Sequence, residues 1–104
     1  LLVILAAATL PASKPSLTDV RVYPADVTLT TQRDYQSIVV QATYSDGTTR
    51  DVTADASYTL ADKKLVRLEN HTLHPQSDGA TTLKIKYSGK NLEVPVKVER
   101  AQED

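Results

Sequence analysis

Apolar and polar positions alternate along most of this chain with the period of β-strands. The clearest case is Ile38–Thr53, IVVQATYSDGTTRDVT. Ile38, Val40, Ala42 and Tyr44 fall on one face of an extended backbone. Gln41, Thr43 and Ser45 fall on the other, where Val39 is the one apolar residue. Successive strand side chains point to opposite faces, so this pattern predicts a strand with one buried side. Asp46-Gly47 follows, a dipeptide suited to the positive φ of a tight hairpin turn. Thr49–Thr53 is the predicted return strand.

The same period organises the flanking segments. Leu17, Val20 and Val22 oppose Asp19 and Arg21, and Val27 and Leu29 resume the alternation after Pro24. Proline cannot donate to a ladder, so Pro24 predicts a jog at which the first strand switches between two sheets. Tyr58 and Leu60 are expected to point inward, with Ala61–Lys64 as an exposed turn. Val66 and Leu68 mark a short strand, Asn70-His71 a turn, and Thr72–His74 a return strand stopped by Pro75. Gln76–Gly79 is expected to be a second Asp-Gly turn. Leu83, Ile85 and Tyr87 share one face, and Leu92, Val94, Val96 and Val98 form the last apolar stripe. Pro95 in that stripe predicts an edge strand, or a strand paired through one side there. With turn signals roughly every 8–12 residues, about seven to nine short strands are expected, which predicts an all-β antiparallel β-sandwich.

The N-terminus departs from this pattern. Leu1–Leu10, LLVILAAATL, has the length of a signal-peptide core and falls short of the ~20 residues that span a bilayer. Small residues follow at Ala12 and Ser13, and Pro11 and Pro15 bracket a short polar link. The expected organisation is a signal peptide over 1–13, cut short at its own N-terminus, then a linker over 14–16. The sandwich is expected over 17–99 and a tail or linker to a following domain over 100–104. A processed chain of this kind would not span a membrane.

Composition narrows the function. The 104 residues carry a formal net charge of −1 with both signs interspersed, which gives no basic patch for nucleic acid. Cysteine is absent, which excludes disulfides, thiolate metal sites and a thiol nucleophile. No serine sits in a nucleophile elbow and no glycine-rich phosphate loop is present, so no catalytic residue, cofactor or enzyme activity is expected.

Some polar residues invite a sharper reading. Asp46, Asp51 and Asp55, with Asp19, Asp26 or Asp78 at loop ends, form the best acidic set for Ca²⁺, which takes six to eight oxygens. The plainer expectation is that Asp46 caps a turn, Asp51 forms a turn or pairs with Arg50 or a lysine, and Asp55 is solvated. His71 and His74, three apart, would point to opposite faces of a strand, so no zinc site is expected. Tyr44, Tyr58 and Tyr87 read as core, whereas Tyr23 and Tyr35 lie near strand ends as the available platform for a sugar ring. Lys84, Lys86 and Lys97 read as charges protecting a sheet edge. The residues singled out are therefore structural: Ile38, Val40, Tyr44, Asp46, Gly47, Val52, Val66, Gly79, Leu83, Ile85, Val94 and Val96.

One family is similar across most of Ser16–Glu99. Leu17-Thr18-Asp19-Val20 leads to Val22-Tyr23-Pro24 and Val27-Thr28-Leu29. The segment Ala42-Thr43-Tyr44-Ser45-Asp46-Gly47-Thr48-Thr49-Arg50-Asp51-Val52-Thr53 resembles the signature of the group-2 bacterial immunoglobulin-like domain nearly letter for letter. Leu65–Leu68 and Asp78-Gly79-Ala80 stand where that family has its next strand and turn. Glu69-Asn70-His71-Thr72 departs from it, since a glycine-containing turn is usual there. The resemblance implies an immunoglobulin-like sandwich, secreted, periplasmic or on the cell surface, and N-terminal in a larger secreted protein. It implies a non-catalytic spacer, interaction or adhesion module whose partners are neighbouring domains of the same polypeptide. The alternative is an accessory module that binds cell-surface polysaccharide.

Overall fold

The computed structural model describes residues 15–104, so the signal peptide expected over 1–13 lies outside the described residues. Ten strands follow in order: β1 (Leu17–Tyr23), β2 (Val27–Thr30), β3 (Gln36–Ser37), β4 (Val39–Tyr44), β5 (Thr49–Asp51), β6 (Ser57–Leu60), β7 (Val66–Glu69), β8 (Thr72–Pro75), β9 (Gly79–Tyr87) and β10 (Lys90–Glu99). The number exceeds the expected seven to nine because one extended segment, 36–44, divides into β3 and β4.

The strands form two layers. One is the four-stranded sheet β2-β10-β9-β6. The other joins β1-β4-β5 to β3-β8-β7 through segment 36–44. The Ile38 amide continues the β3–β8 pairing by donating to the His71 carbonyl at 2.8 Å. Val40 and Tyr44 bond on that same side, to Val52 and Thr48, while β1 runs antiparallel along the other. Ladder bonds of alternate residues leave a strand on alternate sides, so β8 and β5 share one flank of this segment.

Sixteen buried apolar residues form one cluster between the layers. Ile38, Val40, Ala42, Val52, Val66 and Leu73 come from one side, and Val27, Leu29, Leu60, Leu83, Ile85, Val94, Val96 and Val98 from the other. Among the described residues no polar or charged residue is buried. The inward set follows the alternation in the sequence, with two adjustments. Tyr44, Tyr58 and Tyr87 pack on the margin of the core as partly buried rings. In β1 the register shifts between Leu17 and Asp19, so Thr18 is an extra residue that brings Leu17 onto the face of Val20 despite their odd spacing.

The connections explain why these residues turn where they do. Pro24 lies in the link between β1 in one layer and β2 in the other, where the jog was expected. Gly47 sits at φ 85° in the β4–β5 hairpin, whose Gly47 amide donates to the Tyr44 carbonyl at 2.9 Å. Asn70 and His71 both adopt left-handed φ, 48° and 63°, and form the two-residue turn between β7 and β8 without a glycine. Asn tolerates this region well and His less so.

Two expectations need correction. Residues 76–78 do not close a hairpin: β8 pairs with β7 and β3, whereas β9 pairs with β10 and β6, so this link crosses between layers. The pairing is also not wholly antiparallel, because β2 runs parallel to β10 with Val27 opposite Val96 and Thr30 opposite Glu99. Pro95 is accommodated by the second option foreseen for it. It faces Thr82 of β9, and β2 joins the other side of β10 only from Val96 onward.

Candidate functional surfaces

The most ordered polar chemistry lies in two Asp-x-Thr clips, Asp46-Gly47-Thr48 and Asp51-Val52-Thr53. In the first, Asp46 Oδ1 accepts from the Thr48 amide at 3.0 Å and its hydroxyl at 2.6 Å. In the second, Asp51 Oδ1 accepts from the Thr53 amide at 2.9 Å and its hydroxyl at 2.5 Å. These bonds to the charged form hold both carboxyls below their ordinary pKa, the threonine hydroxyl being the larger cause in each. The second clip also reaches the core. Thr53 Oγ1 accepts from the Val40 amide at 2.9 Å, and the Thr53 carbonyl accepts from the Tyr58 hydroxyl at 2.7 Å. Burial, followed by the nearby Asp51 charge, pushes Tyr58 up to about 12.

The acidic set proposed for calcium is thus engaged locally. Asp46 caps its turn. Asp51 forms a turn, with neither Arg50 nor a lysine as its bonded partner. Asp55 is exposed. Among the described residues no three His, Asp or Glu side chains gather as a metal-holding group. His71 and His74 stand apart against different rings, His71 5.3 Å from Tyr58 and His74 6.4 Å from Tyr35. Of the exposed tyrosines, Tyr23 is 48% accessible and lies opposite Val39 across the β1–β4 pair. Tyr35 is 64% accessible beside His74.

The lysines do not protect an edge. Lys84 and Lys86 lie on β9, between β10 and β6, and Lys97 lies on β10, between β2 and β9. Lys97 pairs with Glu99 at 2.8 Å. Lys84 and Lys86 form no ion pair among the described residues.

Two further roles carry no strong sequence signal. Asp34 accepts from the Thr30 amide at 2.9 Å and the Tyr35 amide at 2.8 Å, closing the link between β2 and β3. Asp78 accepts from the Ala101 amide at 2.7 Å. The segment 100–104, read as a tail or linker, is fastened to the sandwich. Ala101 is buried, the Gln32 amide donates to the Glu103 carbonyl at 2.8 Å, and Gln102 donates to the Gln76 carbonyl at 3.2 Å. An alternating pattern cannot announce the contacts of 100–104, because each joins residues far apart in the chain.

Comparison with known proteins agrees with this architecture. The family model of the hyaluronate lyase N-terminal beta-sheet domain matches residues 52–98. No curated protein matches. Among solved structures, domains 4 and 5 of the S-layer protein SbsC are similar with a TM-score of 0.67 and 20% identity, covering 83% of this chain and 54% of that one. Domains 5–6 of SbsC give 0.66 and 21%, covering 84% and 46%. The longer SbsC structure of residues 31–844 gives 0.68 and 21%, covering 84% and 13%. This chain therefore spans about half or less of the solved chains it matches. At these identities the likeness concerns the fold: the chain is an all-β, immunoglobulin-like sandwich of a form that also occurs within the multidomain S-layer protein SbsC.

Proposed function

We propose that this domain is a non-catalytic, extracytoplasmic module of a larger secreted or cell-surface protein, of the group-2 bacterial immunoglobulin-like kind. It spaces and orients its neighbours or offers a surface to a partner protein. The observation that carries this reading is the sandwich it shares with serially arranged S-layer domains. The arrangement of its polar side chains supports it, since the Asp-x-Thr clips spend their carboxylates on holding backbone rather than on an open site. The mechanism is geometric: a rigid body of fixed length sets the separation of whatever lies on either side.

A module exchange tests this. In the full-length protein, an unrelated immunoglobulin-like sandwich of equal length replaces 17–99. A spacer predicts retained surface display and function. Loss of function with display intact would show that this module's own surface is required. Protease accessibility on intact cells tests the compartment, and protection from external protease would contradict a surface location.

A second reading is an accessory module that binds cell-surface polysaccharide. It is favoured by the match to a domain named for a polysaccharide lyase. Exposed Tyr23 and Tyr35 are its ring-stacking candidates. Retention on a polysaccharide that disappears in Tyr23→Ala or Tyr35→Ala supports it.

A further inference from the structure

The outer face of β6, β9 and β10 bears a grid of polar side chains fixed by register. Ser57 and Lys86 are opposite one another, as are Lys86 and Asn91. Thr59 and Lys84 are likewise opposite, as are Lys84 and Glu93. All six residues are exposed, and they line one cleft of about 490 Å³. We propose that this cleft is a contact site for a carboxylated polysaccharide, with Lys84 and Lys86 meeting its carboxylates and Ser57, Thr59 and Asn91 its hydroxyls. The inference rests on the polysaccharide reading above, names a ligand class for it, and adds a contact on the layer opposite the tyrosines.

Lysines at an edge deter pairing with other chains, but β9 is hydrogen-bonded on both sides. Two like charges two residues apart on one strand face repel, at a spacing of roughly 7 Å. Neither is offset by an ion pair among the described residues, and Lys86 has a hydroxyl and an amide as its cross-strand neighbours. On a chain of net charge −1 this is a local positive site that an anion complements.

The flanking groups narrow the anion. Ser, Thr and Asn offer neutral donors and acceptors at sugar-hydroxyl scale. Glu93 beside Lys84 disfavours a dense polyanion such as duplex DNA, which carries one charge per ~1.7 Å. It tolerates a polymer with sparse carboxylates and can itself accept from a sugar hydroxyl.

Affinity electrophoresis and titration calorimetry of the domain, at low salt, test the proposal. Polygalacturonate is the probe, dextran the neutral comparison, and polyacrylate the carboxylate polymer without sugar. The expected result is retardation by polygalacturonate that weakens as salt rises. Replacing Lys84→Ala together with Lys86→Ala weakens binding by at least about tenfold, the scale of lost charge-assisted contacts. Lys86→Gln alone shifts it in the same direction, Glu93→Gln tightens it, and Lys63→Ala with Lys64→Ala leaves it unchanged. Equal binding to polyacrylate, or binding that survives the double lysine change, overturns the proposal. Tyrosine-dependent retention on dextran without retention on polygalacturonate overturns it while leaving the broader polysaccharide reading standing. Retention on none of the polymers also overturns it.

Discussion

Thr53 has more than one task. Its hydroxyl donates to Asp51, accepts from the buried Val40 amide, and its carbonyl receives the Tyr58 hydroxyl. Thr53→Val keeps the shape and removes the hydroxyl, which leaves the Val40 amide without its partner. An unmet buried donor costs about 1–3 kcal/mol, so the urea midpoint is expected to fall with the slope unchanged. Thr48→Val, at the otherwise similar first clip, strands no core amide, and its effect is expected to be much smaller. Tyr58 gives a pH signature. Its folded pKa, about 12, lies above the unfolded value near 10, so the folded state keeps the proton longer. The stabilisation is complete below pH ~10 and is lost as pH rises through ~12. Tyr58→Phe is expected to flatten the decline in melting temperature over that window. It should also cost about 0.5–1.5 kcal/mol at neutral pH for the lost bond to Thr53. An unaltered alkaline profile would show that Tyr58 does not titrate this way.

At the scale of elements, two glycines separate backbone strain from crowding. Gly47, at φ 85°, has open space where a Cβ would stand. Gly79, at φ 146°, opens β9, and a Cβ there would lie 3.0 Å from Leu65 Cδ1. Gly47→Ala is expected to cost about 1–2 kcal/mol through backbone strain alone, and Gly79→Ala more, by chemical denaturation. Equal losses would mean that Leu65 yields without cost. These elements also show what the sequence made legible. Alternation placed Ile38, Val40 and Ala42, and then Leu83 and Ile85, on faces that are buried, because a strand's period needs no knowledge of its partner. Partnership itself was hidden. Asp46-Gly47 closes a hairpin and Asp78-Gly79 begins a strand in the other layer, although the dipeptide is identical. The dipeptide specifies backbone freedom and leaves the choice of the next neighbour to long-range packing. Lys84 and Lys86 were misplaced for the same reason: a lysine's spacing says that it faces out and not whether its strand lies inside the sheet.

For the whole molecule, one core joins both layers, and Ile85 at its centre is 1% accessible. Ile85→Ala is expected to cost about 2–5 kcal/mol, a large part of the 5–15 kcal/mol typical of a domain. Calorimetry should show a lower melting temperature with the transition still single, and a change within error would contradict the burial. The three candidate surfaces also differ at this scale. The Asp-x-Thr clips serve the fold, the exposed tyrosines lie on the β1 and β8 side, and the lysine cleft lies on the opposite layer. A polymer bound in the cleft would therefore leave the tyrosine face free.

The parallel pair β2–β10 has a mechanical consequence. β2 lies near the start of the sandwich and β10 near its end, side by side over four register pairs. Tension applied between the two ends of the domain drags the paired strands in opposite directions along their length. The ladder bonds are then sheared together instead of being peeled open one at a time. A module loaded this way resists extension up to a sharp limit and then yields abruptly. Single-molecule pulling from residues 15 and 104 should show one high-force event. A gradual, low-force extension would mean that the load travels by another path.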